Sequence, residues 1–284
     1  MSRPRVLLLT GYGINCEEEL SAAFRLAGAG VDRVHIGRIL RGEVELHAYS
    51  IIGFPGGFSF GDDLGAGRVL ANRIRSRPLP HGATLLERLV QFLDNGGHLL
   101  GICNGFQVLV TLGLLPNVGG DHRQEVALAA NLSARYEDRW VRLAADARAP
   151  HPALAELGDF EAPVRHAEGR LVFRDQGVRQ AVVDRHLNCL TYVDADGLPA
   201  IDFPANPNGA ALSCAGLCDP TGRVLGLMPH PEAYLSLYNH YDWPRKRREN
   251  PDASEDGEGI RLFRALVATV HNRPPGSGGG QEES

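Results

Sequence analysis

Residues 99–109 read LLGICNGFQVL, an apolar run that ends at Gly101 and continues into helix-compatible residues beyond Cys103. This pattern predicts a buried strand that turns sharply into a helix, with the cysteine at the corner. Gly101 and Gly105 leave room for so tight a turn because neither carries a Cβ. Cys103 is therefore a candidate nucleophile at a helix N-terminus, where the helix dipole favours a thiolate. The alternative is a cysteine that only packs in the core, and the two flanking glycines favour the nucleophile.

A glycine loop follows another predicted buried strand. Residues 55–63 read PGGFSFGDD, directly after the apolar run 50–54. Consecutive glycines at Gly56 and Gly57 let the backbone approach a bound molecule closely, so that peptide N–H groups can point into a cleft beside Cys103. A phosphate-binding loop and a flexible turn are the other interpretations. The Lys-Ser or Lys-Thr ending of a P-loop is missing, which argues against phosphate.

A histidine and a glutamate supply the third chemical feature. Residues 228–232 read MPHPE, and the prolines on both sides of His230 predict a stiff, extended loop. Side chains two residues apart share one face of an extended segment, so Glu232 can bind one ring nitrogen of His230 and leave the other free. This pair is the base and the orienting carboxylate of a nucleophilic triad. A surface loop with an unrelated His-Glu pair is the alternative.

The wider pattern predicts an α/β fold with a mostly parallel sheet flanked by helices. Strands alternate with helices in the first part of the chain, at a spacing that suits helical crossovers. Beyond residue 120 the runs are short and alternate apolar with polar residues, so an added antiparallel portion is expected at one edge of the sheet. The strands are predicted at 5–9, 31–36, 50–54 and 98–102, then at 131–136, 140–145, 161–166, 190–193, 211–217 and 223–227.

Composition narrows the class of protein. The chain has 284 residues, of which 43% are hydrophobic, and a formal net charge of -5. This balance provides no basic surface for nucleic acid. No apolar run approaches the roughly 18 residues of a membrane span, so we expect a cytoplasmic protein. The five cysteines are scattered and odd in number, which excludes a disulfide framework, and Cys214 and Cys218 lack a second pair for zinc, so no metal is expected.

We predict one domain over residues 1–273, with an insertion loop at 235–258 and a disordered tail at 274–284. The insertion carries the basic cluster 245–248 followed by acids, which is typical of a solvated loop. The tail is rich in Pro, Gly and Ser. The polar stretch 163–170 contacts a substrate or partner, or is a solvated charged hairpin.

These motifs together resemble the class I glutamine amidotransferases. Within that class, GGFSFGD at 56–62, GICNGFQ at 101–107, HAEG at 166–169 and MPHPE at 228–232 are similar to the glutaminase subunits of phosphoribosylformylglycinamidine synthase. The resemblance implies a flavodoxin-like fold and a catalytic set of Cys103, His230 and Glu232. It also implies that Gly56, Gly57, Asn104 and Gln107 bind the substrate or its oxyanion. Relatives usually have glycine where this chain has Ala167.

The resemblance implies that the chain hydrolyses L-glutamine and passes ammonia to a large synthetase subunit, with a small accessory subunit in the complex. No cofactor is expected in this chain, and ATP with Mg²⁺ would be used by the synthetase. Two alternatives remain open: a glutaminase of another synthetase or a γ-glutamyl hydrolase, and a catalytically silent binding subunit. The loop 58–62 argues against the first, and an intact set of Cys103, His230 and Glu232 argues against the second.

Overall fold

The computed structural model describes residues 3–271, so the predicted tail at 274–284 lies outside the described residues. Its main feature is a nine-stranded sheet, accompanied by a separate two-stranded sheet. The strands are β1 (Arg5–Thr10), β2 (Gly30–His35), β3 (Ile51–Phe54), β4 (His98–Ile102), β5 (Val126–Ala130), β6 (Glu137–Ala145), β7 (Phe160–His166), β8 (Glu168–Phe173), β9 (Leu190–Val193), β10 (Cys214–Cys218) and β11 (Val224–Leu227).

The large sheet has the order β2-β1-β3-β4-β11-β10-β9-β6-β7. Its first five strands pair in parallel, and the remaining strands pair in antiparallel fashion from β11 outward. The predicted α/β class, with a parallel sheet and an antiparallel portion, is therefore confirmed. The antiparallel strands extend the same sheet, and β5 and β8 form the small second sheet.

Helices flank the sheet, and strands such as β3 and β11 are buried along their whole length. Full burial of a strand requires cover on both of its faces. Phe24 of α1 packs against Phe263 of α8, with ring centroids 5.3 Å apart. The helices are α1 (Glu17–Leu26), α2 (Ile36–Ile39), α3 (Arg68–Ser76), α4 (Leu85–Asp94), α5 (Asn104–Thr111), α6 (Gln176–Asp184), α7 (Trp243–Glu249) and α8 (Ile260–His271).

One predicted strand is wrong. Residues 131–136 form a turn between β5 and β6, because the Asn131 side chain donates a hydrogen bond to the Arg135 carbonyl (2.9 Å) and so closes the chain on itself. An Asn side chain that bonds its own local backbone competes with strand pairing. At the start of α1 the N-cap is Cys16, and Asn15 Oδ1 accepts a hydrogen bond from the Cys16 thiol (3.3 Å).

The segment 235–258 is more ordered than a solvated loop. It contains α7, and Lys246 on this helix binds the Glu161 carboxylate of β7. Lys246 Nζ also lies 3.1 Å from Glu258 Oε1. Nearby, His240 is buried against Trp140 of β6, with ring centroids 4.5 Å apart. The segment therefore packs on the antiparallel end of the sheet. Among residues 3–271, no helix is both long and apolar enough to cross a membrane.

A buried histidine gives the fold a predictable response to acid. His151 accepts a hydrogen bond from the Ala153 N–H (3.3 Å), and burial, with a smaller contribution from His98, lowers the pKa of His151 from 6.5 to about 3. The unfolded chain therefore binds a proton at this residue well before the folded chain does. As pH falls from about 6.5 toward 3, protonation favours unfolding, at a cost of about 2 to 3 kcal/mol from this residue by pH 4.5.

We expect His151→Asn to weaken this acid sensitivity. Asn keeps an acceptor for the Ala153 N–H but does not titrate, so the free energy of unfolding should fall less between pH 7 and pH 4.5. Urea unfolding at both pH values measures the difference. His47→Asn, at an exposed position, serves as the control. An unchanged pH dependence in His151→Asn would contradict the account.

Candidate active site

Cys103 lies at a sharp corner between β4 and α5. Its backbone has φ 50° and ψ -105°, a conformation that few non-glycine residues adopt. A Cβ on Gly105 would lie 1.9 Å from the Phe54 carbonyl oxygen, and one on Gly101 would lie 2.7 Å from Leu109 Cδ1. Both flanking glycines are therefore required by close packing. The predicted strand, cysteine and helix are confirmed in this order.

His230 and Glu232 form a buried pair beside this corner. His230 Nδ1 lies 2.7 Å from Glu232 Oε1, and their side chains are only 3% and 2% exposed. The residues from Pro231 to Ala233 form a 3-10 turn rather than the extended loop that the two prolines predict. The turn still places the carboxylate against the ring. The pairing of His230 with Glu232 is thus present, although its local backbone differs from the prediction.

The imidazole of His230 is surrounded by groups that favour its charged form. Burial lowers its pKa, but Glu232, then the thiols of Cys103 and Cys16, outweigh that effect and hold the pKa of His230 well above its ordinary value. An imidazolium beside a cysteine favours the thiolate form of the sulfur. The arrangement can therefore supply both a nucleophile and a proton donor.

The glycine loop closes the site from the side of β3. A Cβ on Gly56 would lie 2.7 Å from His230 Cε1 and 3.5 Å from Cys103 Cβ, so the two motifs meet at this residue. Gly57 has φ 130°, and a Cβ there would lie 2.7 Å from the Gly13 carbonyl oxygen. Within residues 3–271, the backbone N–H of Gly57 has no protein acceptor. This N–H remains available to a bound molecule.

Asn104 and Gln107 connect the three parts of the site. Asn104 Oδ1 accepts from the Ser59 N–H (3.2 Å), and Asn104 Nδ2 donates to Gln107 Oε1 (3.0 Å). Gln107 Nε2 in turn donates to the Glu168 carbonyl (2.6 Å). Both polar atoms of each side chain thus bind protein groups. The network ties the glycine loop to α5 and to the start of β8.

The polar stretch 163–170 lies at the site and is not merely a solvated hairpin. The Arg165 carbonyl oxygen is 3.6 Å from Cys103 Sγ, and the Glu168 side chain accepts from the Ala66 N–H (3.3 Å). Ala167 is exposed and is not among the described residues with a positive φ. An alanine therefore fits at this position without backbone strain.

Two residues near the site were not predicted from the sequence. The Cys16 sulfur, a ring nitrogen of His230 and a carboxylate oxygen of Glu232 all lie within 4.8 Å of one another. Burial, and to a smaller extent Cys103, raise the pKa of Tyr136, whereas His230 acts in the opposite direction, which places the phenol near the same groups. Cys16 looks like the start of a helix in the sequence and Tyr136 like part of a strand. Only the tertiary fold brings them here.

The parallel sheet, the cysteine corner and the buried His-Glu pair define the class I glutamine amidotransferases. A family model described as a CobB/CobQ-like glutamine amidotransferase domain matches residues 3–269. The chain belongs to this family of glutamine amidotransferases and, within it, to the PurQ group, as the relatives below show.

Two PurQ subunits illustrate the relationship. The chain is 38% identical to phosphoribosylformylglycinamidine synthase subunit PurQ of Dehalococcoides mccartyi over 267 residues, which cover 94% of this chain and 98% of that protein. It is 41% identical to the subunit of the same name from Methanococcus maripaludis over 262 residues, with 92% of each chain covered. A chain in the structure of PurLQS from Thermotoga maritima superposes with a TM-score of 0.67 at 26% identity, covering 95% of this chain and 100% of that one.

The contact between Gly56 and His230 gives a direct test of the geometry. In Gly56→Ala the new methyl group must displace the imidazole or the glycine loop, because its place is 2.7 Å from His230 Cε1. A displacement of about 1 Å in a reacting group can lower the rate about 100-fold, so we expect a loss of this size in glutaminase activity.

Gly30→Ala is the matched control, because a Cβ at that strand position would meet its nearest neighbour, the Pro4 carbonyl oxygen, only at 3.8 Å. Glutamate release and thermal unfolding are measured for both variants. A folded Gly56→Ala protein with the activity of the unaltered chain would show that the loop does not touch the reacting groups.

Proposed function

We propose that this chain is the glutaminase subunit of phosphoribosylformylglycinamidine synthase. It hydrolyses L-glutamine to glutamate and passes the ammonia to a synthetase subunit. The observation that carries the proposal is the buried His230-Glu232 pair, 2.7 Å apart, beside a cysteine held at a helix N-terminus. The similarity to PurQ subunits over most of the chain supports the choice of synthetase.

Cys103 is the nucleophile in this proposal. A carboxamide reacts slowly with water, and a covalent thioester divides the reaction into two easier steps. The Cys103 thiolate attacks the side-chain carbonyl carbon of glutamine and forms a tetrahedral intermediate. Collapse of this intermediate breaks the carbon-nitrogen bond, releases ammonia and leaves a glutamyl thioester on the sulfur.

Backbone N–H groups of Gly57 and Asn104 hold the developing oxyanion. Asn104 is the first residue of α5, so its N–H has no acceptor within the helix. The Gly57 N–H is free of protein acceptors in the described part of the chain. One such donor contributes about 3 kcal/mol to transition-state stabilisation in other acyl-transfer enzymes. Gly56 lets this loop approach the imidazole, since it has no side chain.

His230 moves the protons in both steps. As the imidazolium it gives a proton to the departing nitrogen, and as the neutral base it then takes a proton from the water that attacks the thioester. Breaking the carbon-sulfur bond releases glutamate and restores the thiolate. Glu232 holds Nδ1 and fixes the ring orientation throughout. The hydrogen bonds of Asn104 and Gln107 hold the glycine loop, α5 and the Glu168 backbone in fixed positions around the substrate.

The ammonia must reach a partner without entering bulk water, where it would become ammonium at neutral pH. The Thermotoga maritima match is to a chain of a PurLQS assembly, which supports a complex with a large synthetase subunit and a small accessory subunit. ATP and Mg²⁺ are used by the synthetase in this proposal. The complex acts in the cytoplasm, with neither membrane nor nucleic acid as a partner.

The complex with Cys103→Ala separates the two half-reactions. We expect it to lose glutamine-dependent amidine formation by at least about 1,000-fold, since the covalent nucleophile is gone. Added ammonium salt should restore amidine formation to the level of the unaltered complex supplied with the same salt. Glutamate and amidine are measured in the same samples.

Cys214→Ala is the control, because it makes the same change at a buried thiol in β10 that has no role in the proposed reaction. Continued glutamate formation by Cys103→Ala would contradict the catalytic assignment. Rapid glutamine hydrolysis by the unaltered chain alone, with no response to the synthetase, would contradict dependence on the complex. If only a different synthetase stimulates glutamine hydrolysis, the proposed partner is wrong and the glutaminase assignment stands.

A further inference from the structure

A second thiol, Cys16, faces the catalytic imidazole, and the proposed glutaminase reaction does not use it. Its sulfur lies within 4.8 Å of a ring nitrogen of His230 and of a carboxylate oxygen of Glu232. A Cβ on Gly56 would lie 3.2 Å from this sulfur and 2.7 Å from His230 Cε1, so the thiol and the ring both border the space that a side chain at position 56 would fill. Cys16 is partly exposed, which gives small solutes access to it.

Two buried polar atoms in this group have no hydrogen-bond partner among residues 3–271. They are His230 Nε2 and Glu232 Oε2, on side chains that are 3% and 2% exposed. Buried polar atoms in a folded protein are nearly always paired, so unpaired ones indicate a place for a ligand or an ion. In the proposed reaction His230 exchanges protons with substrate and water, but no step needs a thiol at position 16.

We propose that Cys16, His230 and Glu232 form an inhibitory binding site for Zn²⁺. A thiolate, an imidazole nitrogen and a carboxylate oxygen are the three ligand types that zinc accepts, and water completes the tetrahedron. The ligand atoms need to approach by about 1 Å to reach zinc distances, which side-chain rotation can supply. On binding, the Cys16 S–H loses its proton to solvent and its hydrogen bond to Asn15 Oδ1 breaks.

Zinc at this position would stop the reaction through His230 and Glu232. A ring nitrogen of His230 bound to the ion can no longer exchange a proton, and Glu232 is drawn away from its orienting role. Mg²⁺ would not bind in the same way, because it requires oxygen ligands in an octahedral arrangement. The site therefore distinguishes zinc from the magnesium that accompanies ATP.

The affinity of the full-length chain for Zn²⁺, measured by competition with a chromophoric chelator, tests this proposal. We expect one Zn²⁺ per chain, with an affinity that increases with pH because a thiol proton is released. Cys16→Ala and Cys16→Ser should each weaken binding at least about tenfold, since even an outer-shell substitution at a metal site has an effect of this size. Thermal unfolding of both variants verifies the fold.

Cys103→Ala and Cys214→Ala are the controls, and both should bind Zn²⁺ as the unaltered chain does. Since binding is measured without turnover, the result does not depend on the proposed glutaminase reaction. In the active complex, Zn²⁺ should inhibit glutamate release reversibly, and Cys16→Ala should need at least about ten times more Zn²⁺ for the same inhibition. Zinc binding that survives in both Cys16 variants, or that is lost in Cys103→Ala, would overturn the proposal.

Discussion

The backbone carbonyl of Phe54 occupies the space that a side chain on residue 105 would need. This contact, 1.9 Å from the ideal Cβ position of Gly105, lets α5 begin directly against the end of β3. The chain between β4 and α5 can then turn within one residue, and Cys103 takes its positive φ. Backbone strain of this kind persists only where the surrounding structure enforces it. The sulfur is consequently fixed beside the glycine loop.

The pairing of strands completes the site from distant parts of the chain. The Cys103 N–H donates to the Leu227 carbonyl (2.8 Å), so the proposed nucleophile is attached to the strand that leads into His230. The His230 N–H donates to the Pro163 carbonyl of β7 (2.8 Å), although β7 lies at the far end of the sheet order. Since β7 also brings the Arg165 carbonyl to the sulfur, the antiparallel strands contribute to the site as well as extending the sheet.

Local patterns in the sequence predict the features that local chemistry decides. The apolar runs predict the parallel strands closely, and the glycines around Cys103 predict the corner, because each depends on neighbouring residues. The turn at 131–136 is mispredicted, since the Asn131 side chain decides it. The place of Cys16 beside His230 depends on how the loop before α1 packs against Gly56, with the Cys16 N–H 3.4 Å from the Gly56 carbonyl oxygen. No periodicity or motif in the sequence predicts such a contact.

Although two thiols lie near one imidazole, the proposed mechanism assigns the covalent chemistry to Cys103 alone. Its most direct test is acid quenching of the active complex during glutamine turnover, followed by peptide mass spectrometry. We expect one glutamyl group, sensitive to hydroxylamine, on the peptide that contains Cys103. A glutamyl group on the peptide that contains Cys16 would contradict this assignment. Turnover with no thioester on either cysteine, measured where thioester hydrolysis limits the rate, would contradict it as well.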